Sequence, residues 1–251
     1  MSYAAESLRW YSKDGQPVPT VKGKNGKDRA PTIRDARELG LLPSVSSICR
    51  SAAAPGLEAW KRRNLVLACL TLPRLPEEPL EAFIDRVAED AAKEGEQAAE
   101  RGKAIHTAVQ RHAQGQTVDP QYLAHIAALE LALEGFGIKL TKGVAERSFA
   151  AGTFSGTPDW FDDRNCMDFK TKETIEPDLK AWDNHLVQLA GYDIGLSYPE
   201  HDALAPRRLL SVFIGAKDAK VHIHPWTLED SLRGREMFNG LLRYTLSRDR
   251  L

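Results

Sequence analysis

The stretch FSGTPDWFDDRNCMDFKTK, residues 154–172, decides the fold. It sets Gly156, Thr157, Pro158 and Asp159 before a polar turn of Asp162, Asp163, Arg164 and Asn165, and Asp168, Phe169 and Lys170 after it. Side chains on a strand alternate between the two faces of a sheet. If both flanks are strands, Asp168 and Lys170 project together while Met167 and Phe169 point the other way. A hairpin-like return then brings Asp159 beside the pair.

Two carboxylates and one ammonium at a single spot have a chemical use. Carboxylates about 4 Å apart repel by roughly 4 kcal/mol at an effective dielectric of about 20, and a hard divalent cation between them reverses the sign. Such a cation polarises a phosphoryl oxygen and lowers the pKa of a bound water. The lysine orients the nucleophile or stabilises the charge developing on phosphorus. The grouping suits metal-dependent phosphodiester cleavage, while an exposed hairpin with a surface salt bridge accommodates the same residues.

Further motifs lie on either side in the order of a known family. Gly156-x-x-Asp159 followed by Asp168-Phe169-Lys170-Thr171 resembles the PD-(D/E)XK nucleases, and more narrowly their RecB-type exonuclease branch, which includes stand-alone phage exonucleases. Arg101-Gly102-Lys103-Ala104-Ile105-His106 is similar to that branch's Gly-x-x-x-His helix, and Gln188-Leu189-Ala190-Gly191-Tyr192 to its Gln-x-x-x-Tyr helix. Glu146 falls where the family carries an acidic residue on the strand before that of Asp159. The likeness spans residues 101–192.

The resemblance implies a set of roles. His106, Asp159, Asp168 and the main-chain carbonyl of Phe169 would hold Mg2+, with Mn2+ also accepted, and Glu146 would act directly or through water. Lys170 would position or activate the attacking water. Gln188 and Tyr192 would hold the DNA strand, Thr171 would steady Lys170 or a phosphate, and Arg101 would add a DNA contact. The implied activity is that of a DNA exonuclease in recombination or repair, acting on double- or single-stranded linear DNA in the cytoplasm, host cytoplasm if phage-encoded. A single-strand annealing protein is a conceivable partner. A structure-specific endonuclease, or a DNA-binding protein of nuclease descent without turnover, are the alternatives.

Composition bounds these expectations. The 251-residue chain is 42% hydrophobic and carries a formal net charge of −1, enough apolar content for one sizeable core but no bulk cationic attraction for nucleic acid. DNA contacts must then be local. Charge runs at Lys61, Arg62 and Arg63, at Lys22 to Arg29, and at Arg207 with Arg208 are the candidate patches. Cys49, Cys69 and Cys166 are widely spaced and cannot supply the four thiolates of the iron–sulfur cluster some RecB-type relatives carry, so no cluster is expected. The opening MSYAAESLRWYSKDG lacks a basic-then-apolar signal region, and no apolar run approaches the ~18 residues of a membrane span. No heptad selects an oligomer.

Periodicity and punctuation predict the elements. Residues 1–43 read as loops with a short hairpin near Asp14-Gly15, Ser44 as the N-cap of a short helix, and residues 56–72 as another helix. Three prolines in residues 72–79 close an N-terminal lobe, 1–79, ahead of a nuclease core, 80–251. Helices are expected over 80–114, with Gly95 and Gly102 as break points, and over 122–136. Strands follow over 144–149, 153–161 and 166–170, then a helix over 177–196, strands over 209–214 and 221–225, and a closing helix over 228–246. His222 and His224 share a strand face and are expected to be exposed or to pack, since no further metal ligands lie near them in the sequence. The fold class is α/β, a mixed central sheet flanked by helices with a mostly helical N-terminal lobe.

Overall fold

The computed structural model describes residues 9–52, 55–199 and 205–251. The first eight residues of the expected N-terminal loops lie outside it.

The N-terminal arm begins with β1 (Trp10–Tyr11), followed by β2 (Val21–Lys22), β3 (Asp28–Arg29), α1 (Ile33–Leu39), β4 (Leu42–Pro43) and α2 (Val45–Cys49). The turn at Asp14-Gly15 forms as expected, closed by Ser12 N donating to Gln16 O, with Gly15 at φ +81°, a conformation glycine adopts without strain. Helix α1 was not foreseen. Its signal is the capping box of Thr32 and Asp35, in which each side chain binds the other residue's backbone N–H. Ser44 caps α2 through the N–H of Ser47 at 3.0 Å. Val45 and Ile48, fully buried, belong to the same apolar cluster as Phe161, Leu186 and Phe238.

Two long helices follow, α3 (Pro55–Thr71) and α4 (Leu80–Ala113), then α5 (Leu123–Glu134). Helix α4 runs unbroken through both glycines expected to interrupt it. They mark close approaches instead. A Cβ at Gly95 would lie 3.3 Å from the Trp60 ring of α3, and one at Gly102 would lie 3.6 Å from the Thr171 side chain.

The strands are β5 (Val144–Ala145), β6 (Phe149–Ala151), β7 (Phe154–Gly156), β8 (Trp160–Phe161) and β9 (Asn165–Lys172). After α6 (Asp183–Leu196) come β10 (Arg208–Gly215), β11 (Val221–Pro225) and the closing helix α7 (Leu228–Asp249). A five-stranded sheet orders them β11-β10-β9-β8-β5, with β9 and β10 parallel and the other pairs antiparallel. The chain is therefore mixed α/β, with the sheet between helices. On one face Cys166 and Leu209 pack with α2, α6 and α7; on the other Met167, Phe169, Leu210 and Val212 pack with α4 and α5. The alternation expected along residues 166–170 is the one observed.

Two expected strands are each broken in the middle. Residues 144–149 divide into β5 and β6 at Glu146, whose φ of 53° lies in the left-handed region. Residues 153–161 divide into β7 and β8 around Thr157, Pro158 and Asp159. The breaks face each other, with Glu146 N donating to Asp159 O at 3.2 Å, so β6 and β7 leave the main sheet as a separate ribbon. Helix α6 starts at Asp183, later than the expected 177, because residues 173–182 form turns rather than helix.

Candidate metal centre and its cleft

The twin breaks put two carboxylates where no regular strand would leave them. The rim of β5 supplies Glu146, the gap before β8 supplies Asp159, and α4, crossing the end of β9 at Gly102, supplies His106. One ligand atom from each of these three residues lies within 4.8 Å of the others. His106 Nδ1 stands 3.7 Å from Asp159 Oδ1, an ion-pair distance too long for a hydrogen bond. The other Asp159 oxygen accepts the main-chain N–H of Phe169 at 2.5 Å, which pins the carboxylate to β9.

Asp168 lies outside that group of three but lines the same cleft. It is 1% exposed; Oδ1 accepts from Gln188 Nε2 at 3.0 Å, while Oδ2, 2.6 Å from the Lys170 ammonium, makes no hydrogen bond among the described residues. Gln188 ties these groups together. Its Oε1 accepts from Lys170 Nζ at 3.2 Å, and its Nε2 also donates to Tyr192 Oη at 3.0 Å. Asp168, Lys170, Gln188 and Tyr192 thus form one connected polar network on the α6 side of β9. Tyr192 is 6% exposed, so its hydroxyl serves this network from within the core.

Burial and charge divide the ionisable groups. Burial raises Glu146 to about 7, and the neighbouring Asp159 charge adds to it. Burial also works against the Asp159 charge, yet His106 and Lys170 hold that carboxyl below its ordinary value. Burial lifts Asp168 to about 6 against the opposing Lys170 charge. For Lys170 burial opposes ionisation, but Asp168 and Asp159 outweigh it and raise the ammonium, so it keeps its proton at neutral pH. His106 is likewise raised, Asp159 overcoming desolvation. The Tyr192 phenol is pushed well above its usual value by burial and by Asp168.

Two carboxylates and one imidazole are a donor set for magnesium or manganese, oxygen-rich with one borderline nitrogen. Thr171 also lines the cleft, its Oγ1 buried and without a hydrogen-bond partner among the described residues. The cleft itself is open, about 1310 Å³, and is lined by His106, Glu146, Asp159, Asp168, Lys170, Thr171, Gln188 and Tyr192. Phe169 also lines the cleft; its ring belongs to the core cluster with Leu210 and Val212 and stands edge-on to the His106 ring.

The cationic residues expected to touch DNA lie elsewhere. Arg101 is exposed on α4 outside the cleft lining, and Lys61, Arg62 and Arg63 are exposed on α3, with Lys61 3.5 Å from Glu58. Arg207 is a structural residue, bound with Arg235 to the fully buried Asp193 at 3.2 and 2.6 Å. Arg208 donates to Asn165 Oδ1 and Phe136 O. Lys22 pairs with Asp28 and Arg29 with Asp35. His222 and His224 pack as expected, against the rings of Phe213 and Trp226.

Sequence reading missed the opposite wall. Arg9, Tyr11, Ser46 and Arg50 of the N-terminal arm, with Ser148 and Thr157, also line the cleft. Nothing in local periodicity announces them, because they arrive through long-range packing, as in the bridge between Ser44 and Ser155.

Comparison with protein families gives no match, and comparison with curated proteins gives none. Among solved structures the chain is similar to one titled "Crystal structure of SSO0001", at 13% identity and a TM-score of 0.30, covering 74% of this chain and 86% of that one.

Proposed function

We propose that the protein is a magnesium- or manganese-dependent deoxyribonuclease that hydrolyses linear DNA as an exonuclease. The observation that carries this reading is the convergence of His106, Glu146 and Asp159, their ligand atoms within 4.8 Å of one another, on a cleft that also presents Lys170. The motif likeness to PD-(D/E)XK nucleases supports it.

In this reading His106, Glu146 and Asp159 would hold the metal, and Asp168 positions Lys170 in place of acting as a direct ligand. Bound there, the metal would supply an acidified water and polarise the phosphoryl oxygen. Lys170 retains its proton, so it acts as a fixed positive hydrogen-bond donor that orients the nucleophile and meets charge developing on phosphorus, rather than as a base. Asp168 and Gln188 hold its ammonium in place. Tyr192, through Gln188, keeps that amide oriented with its oxygen toward Lys170.

The test is a magnesium- and manganese-dependent time course on linear DNA labelled at one end or the other, beside closed circular DNA. Progressive shortening of the linear form with the circle intact is expected. Cleavage of the circle would assign an endonuclease, and DNA binding without loss of either substrate would assign a binding protein.

A further inference from the structure

Three hydroxyl side chains from separate parts of the fold meet beside the candidate metal centre. Tyr11 Oη is 2.9 Å from Thr157 Oγ1, and Ser148 Oγ is 2.7 Å from the same atom. Thr157 precedes Asp159 by two residues and Ser148 follows Glu146 by two, so the group adjoins both carboxylates, and all three residues line the cleft. Proton counting defines what this chain can do. Each hydroxyl carries one proton, and the two links between them use two. Whichever way the links run, one O–H is left to donate outward.

Burial decides where it lies. Tyr11 is 5% exposed, whereas Ser148 and Thr157 are half-buried at the cleft surface. A buried phenol without an acceptor would be costly, so Tyr11 donates to Thr157. The spare proton then belongs to Ser148 or Thr157, facing the cleft. Arg9, two residues before Tyr11, lines the same cleft and brings a positive charge to it.

We propose that the Tyr11–Thr157–Ser148 hydroxyl chain, with Arg9, is a binding subsite for a phosphodiester group of the substrate strand, one that neighbours the scissile bond. An anionic phosphate oxygen only accepts, matching a chain with one outward donor. Neutral hydroxyls can sit against Glu146 and Asp159 without neutralising the carboxylates a cation needs, which a ring of lysines would do. The subsite rests on the nuclease reading and extends it to the arm of the chain that carries Tyr11 and Arg9.

In Ser148→Ala, Thr157 still accepts from Tyr11 and keeps a proton to donate outward, so the outward donor is removed only in the triple variant Tyr11→Phe/Thr157→Val/Ser148→Ala, which also leaves no orphaned hydroxyl. Steady-state cleavage of linear DNA by wild type, Ser148→Ala and the triple variant, with Mn2+ affinity measured by calorimetry and unfolding by melting, separates the roles. A hydrogen bond to a charged group implies a rise in KM of about tenfold for the triple variant, with kcat and Mn2+ affinity unchanged and the melting temperature little altered. Ser148→Ala, which leaves Thr157 to donate, raises KM less. An unaltered KM for the triple variant overturns the subsite, as does a loss of Mn2+ affinity, which would make the hydroxyls mere supports for Asp159. If wild type cleaves no DNA in either metal, the nuclease reading fails by itself. The subsite is then judged by anisotropy of a labelled single-stranded oligonucleotide: weaker binding by the triple variant sustains it, and equal or absent binding rejects it.

Discussion

Glu146 and Asp159 face each other across paired interruptions of one antiparallel ribbon, joined by a backbone hydrogen bond of 3.2 Å from Glu146 N to Asp159 O. Both side chains are released to the cleft because neither residue continues its strand. Glu146 accepts a φ of 53° to do so, a conformation that is costly for a residue with a Cβ and that persists only where surrounding structure imposes it. The strain falls at the very residue whose carboxylate joins His106 and Asp159.

Replacing Asp159 by Asn should weaken Mn2+ binding at least about tenfold and abolish cleavage, since an amide cannot supply the anionic oxygen. The amide oxygen can still accept the Phe169 N–H, so the melting temperature should change little. Calorimetric titration with Mn2+ checks this; an unchanged affinity would remove Asp159 from the ligand set.

Lys170→Met should eliminate turnover and also destabilise the fold, because it strands the Asp168 carboxylate, 1% exposed, without its cation. Loss of one partner of a buried pair costs about 3–5 kcal/mol, and the partial exposure of Lys170 reduces that to roughly 1–3 kcal/mol. Adding Asp168→Asn should restore stability but not activity. Urea unfolding of the single and double variants, with turnover measured in parallel, separates the structural from the chemical part; an inactive but fully stable Lys170→Met would contradict the buried-pair account.

Acid should destabilise the protein through His185. Burial, then the charges of Lys170 and Lys172, depress this imidazole to about 3, while its Nδ1 accepts the N–H of Trp182 at 3.2 Å. Above about 6.5 both folded and unfolded chains carry it neutral. As the pH falls toward about 3 the unfolded chain takes up a proton that the folded one refuses, so stability is lost across that window, by about 2 kcal/mol at pH 5 from this group. The pH 7 to pH 5 stability difference, measured by denaturant unfolding, should shrink by that amount in His185→Gln. An equal difference in the two proteins would assign the acid sensitivity to other groups.

Substituting Lys61, Arg62 and Arg63 together by Ala should leave the affinity for a linear duplex within about twofold at fixed salt, as these side chains stand on α3 outside the cleft lining. Arg9→Ala, removing one cation on the cleft wall, should weaken binding more than the three combined. Anisotropy at two salt concentrations gives the comparison, and the reverse ranking would shift the DNA path onto α3.

Much of this molecule is set by local relations along its sequence. The two-residue period of a strand fixed Asp168 and Lys170 on one face and Met167 and Phe169 on the other, and Asp162 closes the expected return by accepting from the N–H groups of Arg164 and Asn165 at 2.7 and 2.6 Å. The four-residue spacing of Gln188 and Tyr192 placed both on one helical face, where a hydrogen bond of 3.0 Å joins them. These are local relations, and the covalent geometry of a strand or helix enforces them whatever packs around it.

Tertiary structure decided the rest. It broke two strands at Glu146 and Asp159, set Gln188 of a distant helix against both Asp168 and Lys170, and used Gly95 and Gly102 as contact points in an unbroken helix. It also carried Tyr11 across 146 positions of sequence to Thr157. None of these outcomes is set by neighbours along the chain. Each follows from the close packing of a shared core, where burial fixes which polar groups must find one another, and that competition exists only once the whole sheet and its helices have assembled.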